Sequence, residues 1–247
     1  MIVIKEYNKQ DIADSMSELW VLLTEDQKQY LAENTEFNIY SKNELIYIEA
    51  ESPKYIYCLT KGKVKVFKSG ASGRTQIVRF IRPTGMFGYR AAFADEDYMT
   101  GASAFEESTI CTVPVSVIKN IIIQNNKVAI FFIKQLAAML GDADLLTVNL
   151  TQKHIRARVA DSLLAMKDKY GVEDDGMTLS IYTSREDLAN TCGMTTSNAI
   201  RTLSALAAEK VVGLEGKRIK ILDEKKLQTR ASKGELVGGN EMGECMI

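Results

Sequence analysis

Histidine is almost missing from this chain of 247 residues: His154 stands alone. One histidine cannot build a metal site by itself, and its ordinary place is a surface or an interface. The four cysteines, Cys58, Cys111, Cys192 and Cys245, are widely separated. That removes the paired spacing of a zinc site and the clustered thiolates of an iron–sulfur centre. No apolar run reaches the ~18 residues of a membrane span, and the start, MIVIKEYNKQDIADS, turns charged too early for a secretory signal. A cytoplasmic location is therefore expected. Net charge is close to absent as well, at −1. It is unevenly distributed, however: residues 151–230 carry three more basic than acidic side chains, and residues 1–150 two more acidic than basic.

What is present divides by texture. Residues 17–33 space leucines as a helix does. From 37 to 113, short β-rich runs alternate with turn residues; KVKVF and QIVRFI flank KSGASGR as a hairpin, and RPTGMFG is a turn cluster. Many short strands of this kind predict a β-roll or jelly roll. After Pro114 the pattern turns helical. Along 127–150, Ala129, Phe132, Leu136, Met139, Ala143, Leu146 and Leu150 recur in alternating steps of three and four, a heptad seam that predicts helix-to-helix dimerisation. A second apolar line, Ile130, Ile133, Ala137 and Leu140, lies on another face, available for packing on the chain's own roll. A further helix is expected from Thr151 as N-cap to Gly171 as stop, then a short strand, TLSIYT. The end, residues 227–247, is rich in Gly and Glu without periodicity and is expected to be disordered.

Residues 184–212, SREDLANTCGMTTSNAIRTLSALAAEKVV, carry the most specific signal. Ser184 is a natural N-cap, with Asp187 three residues on. Leu188, Ala189 and Cys192 face inward, Gly193 permits a left-handed turn, and Thr195 or Thr196 opens a second helix held down by Ala199, Leu203 and Leu206. Thr196, Ser197, Asn198 and Arg201 then form a polar face, with an arginine able to bond a guanine edge. VVGLEGKRIKIL follows as a hairpin, with Lys217 and Arg218 beside its turn, suited to phosphate. A helix-turn-helix followed by a cationic wing predicts DNA binding.

On these motifs the chain resembles the Crp/Fnr superfamily of transcription regulators over about residues 18–225. ELIYIEAESPKYIYCLTKGKVKVF is similar to that family's first strands, with Gly62 at a family glycine and Ala50 where glycine is usual. The resemblance implies an α+β chain: an N-terminal cyclic-nucleotide-binding-type β-roll (1–126), a dimerisation helix (127–150), and a C-terminal winged helix-turn-helix (151–226) before the tail. It places Arg185 on phosphate and Thr196, Ser197 and Arg201 at base-reading positions. Serine stands at 197 where glutamate is common, so the family's usual half-site does not transfer.

The family's effector cassette, a Gly-Glu start and a later Arg-Ser/Thr-Ala run, corresponds here to FGYRAAFADEDYMTGASA. Gly88 is kept, but Tyr89 replaces the carboxylate that would meet the ribose and Met99 the guanidinium that would meet the cyclic phosphate; Thr100 and Gly101 follow. Ala143 and Asp144 occupy the helix positions that would face the base. No cofactor is expected, and neither cAMP nor cGMP is expected to bind. The pocket is left to another ligand, a carboxylate-bearing or neutral metabolite held by Arg90, or to none. The implied partners are double-stranded DNA, a second copy of the chain and RNA polymerase, with no membrane. Two other readings stay open: a ligand-binding or structural dimer that does not use its helix-turn-helix on DNA, and a hydrolase using the acids of DED at 95–97.

Overall fold

The computed structural model describes residues 2–3, 8–70 and 73–232. The chain forms two compact units, residues 1–143 and 144–247. The first opens with β1 (Ile2–Val3) and three short helices, α1 (Lys9–Ser15), α2 (Ser17–Trp20) and α3 (Glu25–Glu33). Asn8 and Thr24 close capping boxes at the starts of α1 and α3. Strands β2 (Glu36–Tyr40), β3 (Leu45–Tyr47), β4 (Tyr55–Lys61), β5 (Val64–Ser69), β6 (Thr75–Ile81) and β7 (Met86–Phe87) follow, then α4 (Tyr89–Ala94), β8 (Gly101–Ala104), β9 (Ser108–Pro114) and α5 (Val115–Gln124).

The strands make two antiparallel sheets, ordered β1-β2-β9-β4-β7 and β3-β8-β5-β6. The β5–β6 hairpin is present in the register Val64↔Ile81 to Ser69↔Thr75, and residues 71 and 72 at its tip lie outside the described residues. Alternation along β4 shows how the layers are built. Tyr57 and Leu59 point between the sheets with Val64, Val66, Ala102 and Ile110, whereas Ile56 and Cys58 point outward to a second core. That second core is closed by Leu19, Leu31, Ile118 and Ile121 from the helices and by Met16 between α1 and α2. Ala50 takes a left-handed φ of 63° at the position where the resemblance has glycine, and its N–H bonds Tyr98 O at 2.8 Å.

The long helix α6 (Asn126–Gln152) corrects the seam assignment. Phe132 is buried, and Leu136 and Met139 pack with it into the chain's own second core. Ile130, Ile133 and Leu140, the line expected to meet the roll, are exposed, by 51%, 58% and 65%. Ala143 is exposed, and Leu146 and Leu150 are half-buried. The rings of Tyr89 and Phe93 explain the exchange of faces: they lie 5.5 Å and 4.9 Å from the Phe132 ring, so the bulkier stripe is drawn inward.

The second unit adds α7 (Ile155–Tyr170), α8 (Arg185–Thr191), α9 (Thr196–Ala208), β10 (Val212–Glu215), β11 (Arg218–Ile221) and α10 (Glu224–Ser232). Thr151 does not cap α7. Its hydroxyl donates back to Thr147 O at 2.8 Å inside α6, and His154 is the cap instead. TLSIYT is no independent strand; it contributes isolated bridges, with Leu179 N bonding Ile219 O at 3.0 Å and so widening the wing. The expected disordered tail begins too early: residues 227–232 are helical, because Leu227 and Ala231, one turn apart, are buried and Glu224 pairs with Lys167 at 2.6 Å. Residues 233–247 lie outside the described residues.

Candidate nucleic-acid interface

The helix-turn-helix is assembled by local hydrogen bonds that its sequence encodes. Ser184 Oγ accepts from Asp187 N at 2.9 Å and donates to Asp187 Oδ2 at 2.6 Å, so the start of α8 is capped by its own acid. At the other end Cys192 N bonds Leu188 O and Met194 N bonds Ala189 O, both at 3.0 Å. This closure turns the chain through Gly193, whose φ of 60° suits a residue without a side chain. Met194 is buried beneath the turn. Thr195 Oγ1 then accepts from Asn198 N at 3.3 Å and opens α9. Ala199, Leu203 and Leu206 are fully buried under α9, which turns Thr196, Ser197 and Arg201 to solvent and leaves Asn198 half-buried.

Beside this face stands the wing. Glu215 pairs with Arg218 across a turn made of Gly216 and Lys217. Lys217 and Arg218 are both exposed, and the Arg218 guanidinium lies 5.3 Å from the Tyr182 ring centre. Arg185 is placed differently from the expectation of a simple phosphate contact. It is half-buried, its Nη2 donates to Gly216 O at 2.9 Å, and its Nη1 is buried with no hydrogen-bond partner. It therefore ties the first turn of α8 to the wing tip.

Sequence reasoning missed Arg158. From α7 its Nη1 donates to Cys192 O at 3.1 Å and Gly193 O at 3.2 Å, the two carbonyls freed by the turn. No motif marks this residue; only the fold brings α7 to the turn.

The cassette residues take separate partners, with Thr100 and Arg90 both near Tyr47. Gly88 holds a left-handed φ of 84°, where an added Cβ would meet the Tyr57 ring at 2.8 Å, and it starts α4. Tyr89 is buried in the core against α6, and its Oη donates to Met139 Sδ at 3.1 Å. Met99 is 57% exposed. Arg90 pairs with Glu96 at 3.0 Å instead of standing free. Thr100 hydrogen-bonds the Tyr47 hydroxyl, and Gly101 lies against the Phe67 ring. Burial pushes the Tyr47 phenol up to about 12, partly opposed by Arg79, a second cation that sequence reasoning missed. Arg79 comes from β6, outside the cassette, and its Nε is buried without a partner.

The acids at 95–97 are each engaged separately. Asp95 accepts from Lys119 at 2.7 Å, Glu96 pairs with Arg90, and Asp97 accepts from Ser52 at 2.6 Å. Among the described residues no group of three His, Cys, Asp or Glu is placed to hold a metal ion, and no helix is long and apolar enough to cross a membrane.

Comparison with known proteins agrees with this architecture. The cyclic nucleotide-binding domain family matches residues 37–125, and the Crp-like helix-turn-helix domain family matches residues 157–230. The global nitrogen regulator of Synechococcus elongatus is 22% identical over 187 residues, covering 74% of this chain and 84% of that protein. The CRP-like cAMP-activated global transcriptional regulator of Mycobacterium tuberculosis is 22% identical over 193 residues, covering 78% and 86%. Among solved structures, FixK2 from Bradyrhizobium japonicum superimposes with a TM-score of 0.72 at 25% identity, covering 83% of this chain and 99% of that one. With a roll of the cyclic nucleotide-binding type, a long helix and a Crp-like helix-turn-helix in that order, the chain belongs to the Crp/Fnr superfamily of transcription regulators.

Proposed function

We propose that this chain is a sequence-specific regulator of transcription that binds double-stranded DNA as a homodimer on a palindromic site, works in the cytoplasm with RNA polymerase, and has no catalytic activity. The observation that carries this reading is the face of α9. Thr196, Ser197 and Arg201 are exposed on a helix whose start is fixed by Thr195 and whose other side is fully buried. The neighbouring wing tip supplies Lys217 and Arg218 for phosphate. For the dimer, the exposed line Ile130, Ile133 and Leu140 on α6 is the apolar surface that a second copy would cover. Two recognition helices would then address half-sites about 34 Å apart.

The roll, in this reading, does not respond to cAMP or cGMP. The residues present do not fit a cyclic nucleotide: a phenol bonded to Met139 stands in place of the ribose carboxylate, and an exposed thioether in place of the phosphate guanidinium. Selection of bound duplexes from a random library tests the DNA reading. An inverted repeat is the expected product. Recovery of unrelated sequences, bound no more tightly than the starting pool, would overturn it.

A further inference from the structure

A cleft of about 290 Å³ opens at the edge of the roll between β2, β4 and the loop before β4; Tyr98 lines it from the cassette stretch, whereas Gly88, Tyr89, Arg90, Met99, Thr100 and Gly101 do not. This volume sits near the lower end of the range for small-molecule sites. Its floor is aromatic. Tyr40, Tyr57 and Tyr98 are buried, and Tyr57 bonds to Tyr98, whose Oη donates to Tyr55 O at 3.3 Å. Burial raises all three phenols, so they stay neutral. The loop is pinned to this floor by Ala50 N on Tyr98 O and Tyr98 N on Glu51 O, at 2.8 and 2.9 Å.

The walls hold more acceptors than donors. Glu36 is exposed and its carboxylate has no ion-pair partner among the described residues. The Glu51 carboxylate takes only a long bond, 3.3 Å, from Ile48 N. Asn38 is 3% exposed, and its orientation is set by its neighbour. Thr112 Oγ1 donates to Glu36 O at 3.3 Å, so its lone pair faces Asn38 Nδ2 at 3.4 Å. That leaves Asn38 Oδ1 buried with no partner, on the residue that lines the cleft. A buried acceptor left unsatisfied is costly, and a ligand that brings donors relieves that cost. One cation, Lys54, stands at the rim.

We propose that this cleft binds a small molecule carrying a protonated primary amine, with an oxygen acceptor at its other end. A primary ammonium brings three N–H donors and a positive charge. These match the two carboxylates and the Asn38 oxygen, and a cation is also attracted to tyrosine faces. Lys54 meets the acceptor end. An anion would face two carboxylates, and a neutral sugar would leave their charge unmatched. The site is independent of the DNA-binding reading, because its occupancy is measured without duplex.

The test is titration calorimetry of the full chain with 4-aminobutyrate and ethanolamine, with glucose and acetate as amine-free comparisons. Both amines are expected to bind and the comparisons not to. Glu36→Gln combined with Glu51→Gln changes only exposed side chains, and it is expected to weaken both amines by ~10-fold or more. Lys54→Gln is expected to weaken 4-aminobutyrate, whose carboxylate pairs with the lysine, more than ethanolamine, whose end is a neutral hydroxyl. Absence of heat with both amines at millimolar concentration, equal binding of glucose, or full affinity in the double variant would each overturn the proposal.

Discussion

Arg201 stands exposed in the second turn of α9, where its guanidinium has the two parallel donors that a guanine edge accepts. Arg201→Ala is expected to cost roughly 1–3 kcal/mol on the selected site and to relax choice at one base pair in each half-site. Lys217 is a point charge at the wing tip, so Lys217→Ala should weaken all duplexes alike and flatten the salt dependence by about one unit. Fluorescence titrations on specific and random duplexes at several salt concentrations separate the two roles; equal losses on both duplexes for Arg201→Ala would remove it from base reading. Asp175 shows the same economy at the base of the wing. Its carboxylate accepts from Thr178 Oγ1 at 2.6 Å, Thr178 N at 2.7 Å and Met177 N at 3.0 Å, and these bonds, the Thr178 hydroxyl first, hold its pKa down to about 2. A depressed carboxyl stabilises the fold above its ordinary value near 4 and loses that effect as pH falls through about 2. Asp175→Asn should therefore melt lower than the parent at pH 7, with the gap narrowing as pH is taken down toward 2. A gap that does not change with pH would mean the carboxylate's charge is not what the turn uses.

At the scale of elements, α6 shows what sequence periodicity can and cannot tell. The alternating steps of three and four reveal a helix with two apolar lines, and the helix is there. They do not say which line meets which surface, because that depends on Tyr89 and Phe93, which come from α4 and have no signature in the helix itself. The two lines separate in the first half of the helix, where Phe132, Leu136 and Met139 pack inward and Ile130, Ile133 and Leu140 are exposed. Phe132→Ala empties a fully packed site and is expected to cost about 3–5 kcal/mol of stability. Ile133→Asp, on a residue 58% exposed, should leave thermal unfolding of the chain nearly unchanged and shift it toward monomer in sedimentation velocity. The reverse pattern would restore the original seam. The cap of α8 and the turn were legible to the residue, and the cap of α9 to one of two threonines, because they are local: Ser184, Gly193 and Thr195 bond within a few positions of themselves. Arg158, reaching the turn from 34 residues away, and α10, whose two buried residues are diluted by a Gly- and Glu-rich end, were not legible for the opposite reason.

Across the whole molecule, the two family signatures are kept to unequal degrees. The helix-turn-helix has its caps, its turn and an exposed polar face, whereas the roll has the strands and Gly88 but carries Tyr89 and Met99 where, on the proposed reading, a cyclic nucleotide needs a carboxylate and a guanidinium. On the proposed reading, each missing charged hydrogen bond would be worth roughly 1.5–3 kcal/mol, and losing two would weaken binding by roughly 10²- to 10⁴-fold. Tyr89 adds a barrier that the sequence did not reveal. It is part of the core beside Phe93 and Phe132, so restoring the carboxylate as Tyr89→Glu would bury a charge among aromatic rings at a cost of several kcal/mol. Calorimetry with cAMP and with cGMP is expected to show no binding at micromolar concentration, and DNA affinity should be the same with and without either nucleotide. Tyr89→Glu combined with Met99→Arg should lower the melting temperature and still not confer binding. A low-micromolar dissociation constant for the parent chain would mean that Arg79 and Arg90, approaching from β6 and α4, hold the phosphate in place of the missing guanidinium.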